Sequence, residues 1–180
     1  MSIGKGMIEH LETAIRTKNF DAQESKVRVG KHGNYLLEWK SEDAVIKAEF
    51  LQEDSIGVLT SWLEVEKNAG ESVDSSEYLK TAAEGIVERV NYLMEPLKIV
   101  EIDSAGNAVQ LRSERPERTQ GTLSYYEVIL KAGKWFGYRN HLSFRRYSHR
   151  SEDEPNRKAV AFPLTKQQLE RLINDLIAIL

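Results

Sequence analysis

The chain has no cysteine among its 180 residues. Disulfides, thiolate metal sites and a cysteine nucleophile are therefore excluded. A reducing compartment, the cytoplasm, is the matching expectation. No apolar run approaches the roughly 18 residues of a membrane span. Glu9 and Glu12 interrupt the N-terminal stretch where a secretory signal needs an unbroken apolar run, so neither a signal nor a membrane partner is expected. There is no Gly-x-Ser-x-Gly elbow for a serine nucleophile. Gly4-Lys5-Gly6 and Gly30-Lys31-His32-Gly33 lack the phosphate-loop pattern and read as flexible turns. No cofactor is implied, and the sequence points away from catalysis.

What is present is a globular composition, 41% hydrophobic and 29% charged, with a net charge of −3. The charge is unevenly placed: residues 1–111 carry a net of −8 and residues 112–180 a net of +5. The asymmetry is a clue about partners, although a folded domain mixes its halves in space.

Periodicity gives the elements. Ile3, Met7, Ile8, Leu11, Ala14 and Ile15 recur at helical spacing. Lys18 to Gly33 reads as a loop with a short strand at Val27 to Val29. Three alternating segments follow. In the first, Tyr35, Leu37 and Trp39 share a face. In the second, Ala44, Ile46, Ala48 and Phe50 do. In the third, Ile56 to Glu66, Leu59, Leu63 and Val65 do. That is an antiparallel meander with one buried face. A second helix is expected, capped by Asp74 with Glu77 behind it. Its stripe runs through Tyr78, Leu79, Ala82, Ile86, Val90, Leu93 and Met94 to a stop at Pro96.

Lys98 to Asp103 and Ala108 to Ser113 read as a hairpin around residues 104–107. Arg115 to Arg118 is a charged connection broken by Pro116. Strands are expected over Leu123 to Lys131, Tyr138 to His149 and Ala159 to Phe162, with a solvated loop at 151–158. The last helix opens on Thr165 and Gln168, a capping pair, with Leu164 and Leu169 as a hydrophobic staple. Its apolar residues, Leu169, Leu172, Ile173, Leu176, Ile177 and Leu180, suit either the chain's own core or a dimer interface.

The expected fold is therefore α+β: a mainly antiparallel sheet of roughly seven to eight strands with three amphipathic helices. It forms one domain over residues 1–180, readable as two loosely similar halves, 1–96 and 97–180. The order of helix, three strands, helix, further strands and closing helix resembles that of type III secretion chaperones. No motif carries this likeness, and the chain has extra strands.

Chemistry-bearing clusters are few. His10, His32, His141 and His149 include no pair at the i, i+4 spacing of zinc proteases. His141 and His149 lie about 26 Å apart along a strand, too far to share a metal ion. Glu64 with Glu66, and Glu101 with Asp103, share strand faces and could do acid–base work if buried.

The remaining cluster is the stretch from Lys131 to Arg150, rich in cations and aromatics. Strand parity puts Arg139, His141, Ser143, Arg145, Tyr147 and His149 on one face, and Asn140, Leu142, Phe144, Arg146 and Ser148 on the other. Leu142 and Phe144 should enter the core, leaving a cationic outer face. With Lys134 and Trp135 beside it, that face could follow single-stranded nucleic acid, arginine on phosphate and rings on bases. The alternative is a solvated face whose arginines pair with acids such as Glu127 or those within 41–77. Two functions follow from these readings. One is a non-catalytic protein-interaction module that binds itself as a homodimer or a protein partner; the other is a single-stranded nucleic-acid binder.

Overall fold

A computed structural model describes residues 2–18, 25–69, 75–133, 139–150 and 156–180. Helix α1 (Ile3–Thr17) begins at Ser2, whose hydroxyl accepts the Lys5 N–H. Met7, Leu11 and Ala14 are fully buried. Gly4-Lys5-Gly6 is helical, not a turn. A Cβ on Gly4 would lie 2.6 Å from the Glu170 carbonyl oxygen, so the bare backbone lets α1 touch the last helix. The Gly4 N–H, one of the helix's unpaired first-turn donors, bonds Asn174 Oδ1 at 3.0 Å.

Strands β1 (Ser25–Val29), β2 (Tyr35–Lys40), β3 (Ala44–Glu53) and β4 (Gly57–Asn68) form the expected meander. On β3 the buried residues are Ala44, Ile46, Ala48 and Phe50. On β4 the expectation for Leu59 fails. Its register with β3 shifts on both sides of Phe50, where Ser61 and then Leu51 have no opposite residue. Each extra residue inverts parity, so Val58 and Thr60 turn inward with Leu63 and Val65, and Leu59 is only half-buried.

Helix α2 (Ser75–Arg89) ends well before Pro96. The Asn91 side-chain amide donates to the Glu88 carbonyl, and Val90, Leu93, Glu95 and Leu97 are buried from irregular or extended backbone. A helix could not point all four inward while leaving Met94 93% exposed. The proposed cap, Asp74, lies outside the described residues.

Strands β5 (Leu97–Asp103), β6 (Ala108–Ser113), β7 (Glu117–Thr119), β8 (Thr122–Lys131) and β9 (Arg139–Arg150) follow. β7 is a short strand inside the segment read as a broken connection. The single strand expected at 159–162 is two: β10 (Lys158–Val160) and β11 (Phe162–Thr165). Helix α3 (Lys166–Ile179) carries the capping box of Thr165 and Gln168, with both bonds formed.

Eight strands run in the order β1-β2-β3-β4-β9-β8-β6-β5, each antiparallel to its neighbour. The strands of both halves of the sequence thus share one sheet, joined at β4–β9. That pairing holds from Trp62 to Asn68 and then the strands part. β10 takes over the freed edge of β9 and β11 that of β4.

The helices cover one face. Phe50, Phe144 and Phe162 are fully buried there, and Tyr126 joins Phe144 and Phe162 with ring centroids 5.4 Å from each. Truncating any of these phenylalanines to alanine costs about 3–5 kcal/mol. On α3, Leu169, Leu172, Ile173 and Leu176 are fully buried, and Ile177 and Ile179 pack against the same core. The apolar face that suited a dimer interface is thus used within the chain.

Candidate functional site

The basic strand β9 has the expected parity. Leu142 and Phe144 are fully buried, while Arg139, His141, Ser143, Arg145, Tyr147 and His149 are partly exposed on the face away from the helices. Lys134 and Trp135 lie outside the described residues.

The geometry of this face follows from its neighbour β4, where Glu64 stands opposite Ser143 and Glu66 opposite His141. Each acid therefore reaches diagonally to cations on β9. Arg145 Nη2 lies 3.1 Å from Glu64 Oε1, and Arg139 Nη1 lies 3.5 Å from Glu66 Oε2. Lys47 on β3 donates to the other Glu66 oxygen at 2.9 Å. The pattern continues outward, with Glu38 on β2 bonded to Lys40 at 3.0 Å. Charges alternate across the sheet, and the arginines of β9 are members of that pattern.

Burial pushes the Glu66 carboxyl up, but Lys47, His141 and Arg139 outweigh it and hold its pKa below the usual carboxylate range. A general acid needs the opposite shift. His141 Nε2 is 3.9 Å from Glu64, beyond hydrogen-bond reach. Burial lowers the His141 pKa despite Glu64 and Glu66, so the ring is neutral at pH 7 and the contact is not an ion pair there. Glu101 and Asp103 are both exposed on β5, and Asp103 accepts the Gly106 N–H of the hairpin turn.

Tyr147 sits beside Tyr125 with centroids 6.1 Å apart, and the Arg157 guanidinium lies 4.1 Å above its ring. One face of that ring is thus already covered. Glu127, the acid named as a partner for this strand, is turned elsewhere. It is 3% exposed, and its Oε2 accepts from Gln110 at 2.7 Å, Arg112 at 2.9 Å and Arg157 at 2.6 Å. Arg112 and Arg157 were not singled out in the sequence. Nothing local marks them, because their meeting depends on β6, β8, β9 and β10 being neighbours in that order.

Arg146, on the inner face, is another buried ion. It pairs with Glu95 and Glu117 and lies 4.6 Å over the Tyr126 ring. His149 completes the set: its Nδ1 is buried, with no hydrogen-bond partner among the described residues.

An open cleft of about 670 Å³ lies where the β3–β4 turn meets β11. Tyr35, Leu51, Ile56, Leu59 and Pro163 give it an apolar wall, with Ile56 73% exposed. In comparison with known proteins, no family model, no curated protein and no solved structure matches the chain.

Proposed function

We propose that this chain is a non-catalytic protein-interaction module whose first partner is a second copy of itself, joined through the edge strand β5. One observation carries this reading, the bulge at Val100. Ile99 pairs with Leu111 and Glu101 with Gln110, leaving Val100 with no opposite residue. The extra residue re-phases the strand, so Lys98, Glu101 and Asp103 share the outer face while Ile99 and Ile102 share the helix side.

A bulge and a lysine ordinarily discourage strand addition at a sheet edge, because a regular incoming strand falls out of phase. A second copy carries the same bulge and stays in phase. Turned antiparallel about a two-fold axis, it sets Lys98 opposite Asp103 twice and Ile99 opposite Ile102 twice. Among the described residues neither Lys98 nor Asp103 has an ion pair within the chain, and Lys98 faces the cationic Arg112 across β6. Val100, Ile102 and the preceding Met94 are 47%, 41% and 93% exposed, apolar surface that such pairing would cover.

Light scattering across a concentration series tests the reading. The parent should approach twice the 20.6 kDa chain mass. Lys98→Asp and Asp103→Lys should each be monomeric, since like charges then face each other at both contacts. Mixing the two should restore the dimer, since both contacts become complementary. A parent that stays monomeric, or variants that dimerise alone as well as mixed, refutes it.

A further inference from the structure

The basic strand divides into two unlike parts. Its first half, Arg139 to Arg145, is matched by Glu64 and Glu66. Among the described residues, no ion pair involves His149, Arg150 or the neighbouring Lys158.

These groups converge for a reason of register. The helix-side row of β9 is Leu142, Phe144, Arg146, Ser148 and Arg150. Along it burial fades, from Phe144 at 0% through Arg146 at 9% to an exposed Arg150. Thr122 stands directly opposite Arg150 on β8, and Lys158 directly opposite Ser148 on β10. Adjacent strands lie about 5 Å apart, and alternate residues of one strand about 7 Å. Four side chains on one face, two hydroxyls and two cations, are thereby gathered around a single point.

With His149 and Asn156 they line a cavity of about 340 Å³ to which no carboxylate among the described residues contributes. The acid nearest in register, Glu117, stands opposite Ser124 and is held by Arg146 at 2.7 Å. Residues 151–155, which join β9 to β10 and carry Glu152, Asp153 and Glu154, lie outside the described residues, and no part of the site is built on them.

We propose that this cradle binds a dianionic oxyanion of the phosphate type. Arg150 and Lys158 supply the charge, the guanidinium presenting a fork of donors and the ammonium a point charge. Thr122 and Ser148 hydroxyls and the Asn156 amide donate to the remaining oxygens. The site is independent of the β5 edge, so either can fail alone.

Amide chemical shifts of the full chain, followed during a titration with inorganic phosphate at low ionic strength, test the proposal. A chloride titration of equal ionic strength is the reference. Saturable shifts confined to Thr122, Ser148, His149, Arg150 and Lys158 are expected with phosphate and not with chloride. Arg150→Gln with Lys158→Gln should weaken the response at least tenfold while the rest of the spectrum stays in place, since both residues are exposed. Equal shifts with chloride, or saturation undiminished in the double variant, overturn the site. Shifts produced by a single-stranded oligothymidylate and not by phosphate also overturn it, since the ligand would then be a phosphodiester chain.

Discussion

Arg146 and Glu95 meet at 2.6 Å beneath the sheet, with side chains only 10% and 7% exposed. Glu95 leaves α2's trailing segment and Arg146 comes from the centre of β9, so the pair ties the two halves of the sequence together. Glu117 of β7 reaches the same guanidinium nitrogen at 2.7 Å but is itself 59% exposed. One partner is buried and the other is not, and their removal should have unequal effects.

Arg146→Met should destabilise the chain by about 3–5 kcal/mol, because it strands a buried carboxylate. Glu117→Gln should cost less than about 1 kcal/mol, the range of an exposed pair. Combining Arg146→Met with Glu95→Leu should recover part of the first loss, since both charges are then gone. Urea unfolding measures all three. Equal losses for Arg146→Met and Glu117→Gln would show that burial does not set the strength of this pair.

Burial holds the His141 pKa below its ordinary 6.5, against the pull of Glu64 and Glu66 and with the help of Lys131 and Lys47. His10, beside Trp39, is lowered by burial in the same way. The unfolded chain therefore takes up protons at higher pH than the folded one. Stability is full above pH 6.5 and falls as the pH drops toward the folded values. Melting temperatures between about pH 7 and pH 5 should decline, and His141→Gln should flatten the decline. A variant with an unchanged slope would remove His141 from the account.

If the outer face of β9 has any affinity for single-stranded nucleic acid, Glu64 and Glu66 oppose it, since they engage Arg145 and Arg139. Glu64→Gln with Glu66→Gln should then strengthen retention of an oligonucleotide at low salt and steepen its salt dependence. Fluorescence anisotropy reads both. Unchanged retention in the double variant, or none in either protein, argues that the arginines serve the sheet alone.

Much of this was legible in local pattern. The spacing of Thr165 and Gln168 marks the start of α3, and both capping bonds form. Alternation at Leu142 and Phe144 places the inner face of β9, and both residues are fully buried. Leu59 was misread because a shift of register is a property of two strands, and no residue of β4 alone announces it. The end of α2 was misread because Val90 and Leu93 fit a helical stripe and are buried, yet from a non-helical backbone. At the candidate site the residues of the basic strand were legible, while their partners were not. Arg145 took Glu64 across β4, and Glu127 went to Arg112 and Arg157.

The amino-acid order alone determined the secondary elements, the α+β class and which faces are apolar, because those follow from periods of 2 and 3.6 residues and from caps only a few positions long. Tertiary structure alone decided which charge meets which. It set β4 beside β9 so that Glu64 and Glu66 match the first half of the basic strand, and it left Arg150 and Lys158 around a cavity lined by no acid among the described residues. Coulomb attraction acts over a few ångströms, whereas Arg145 and Glu64 are 81 residues apart in the chain, and only the sheet order brings them within that range.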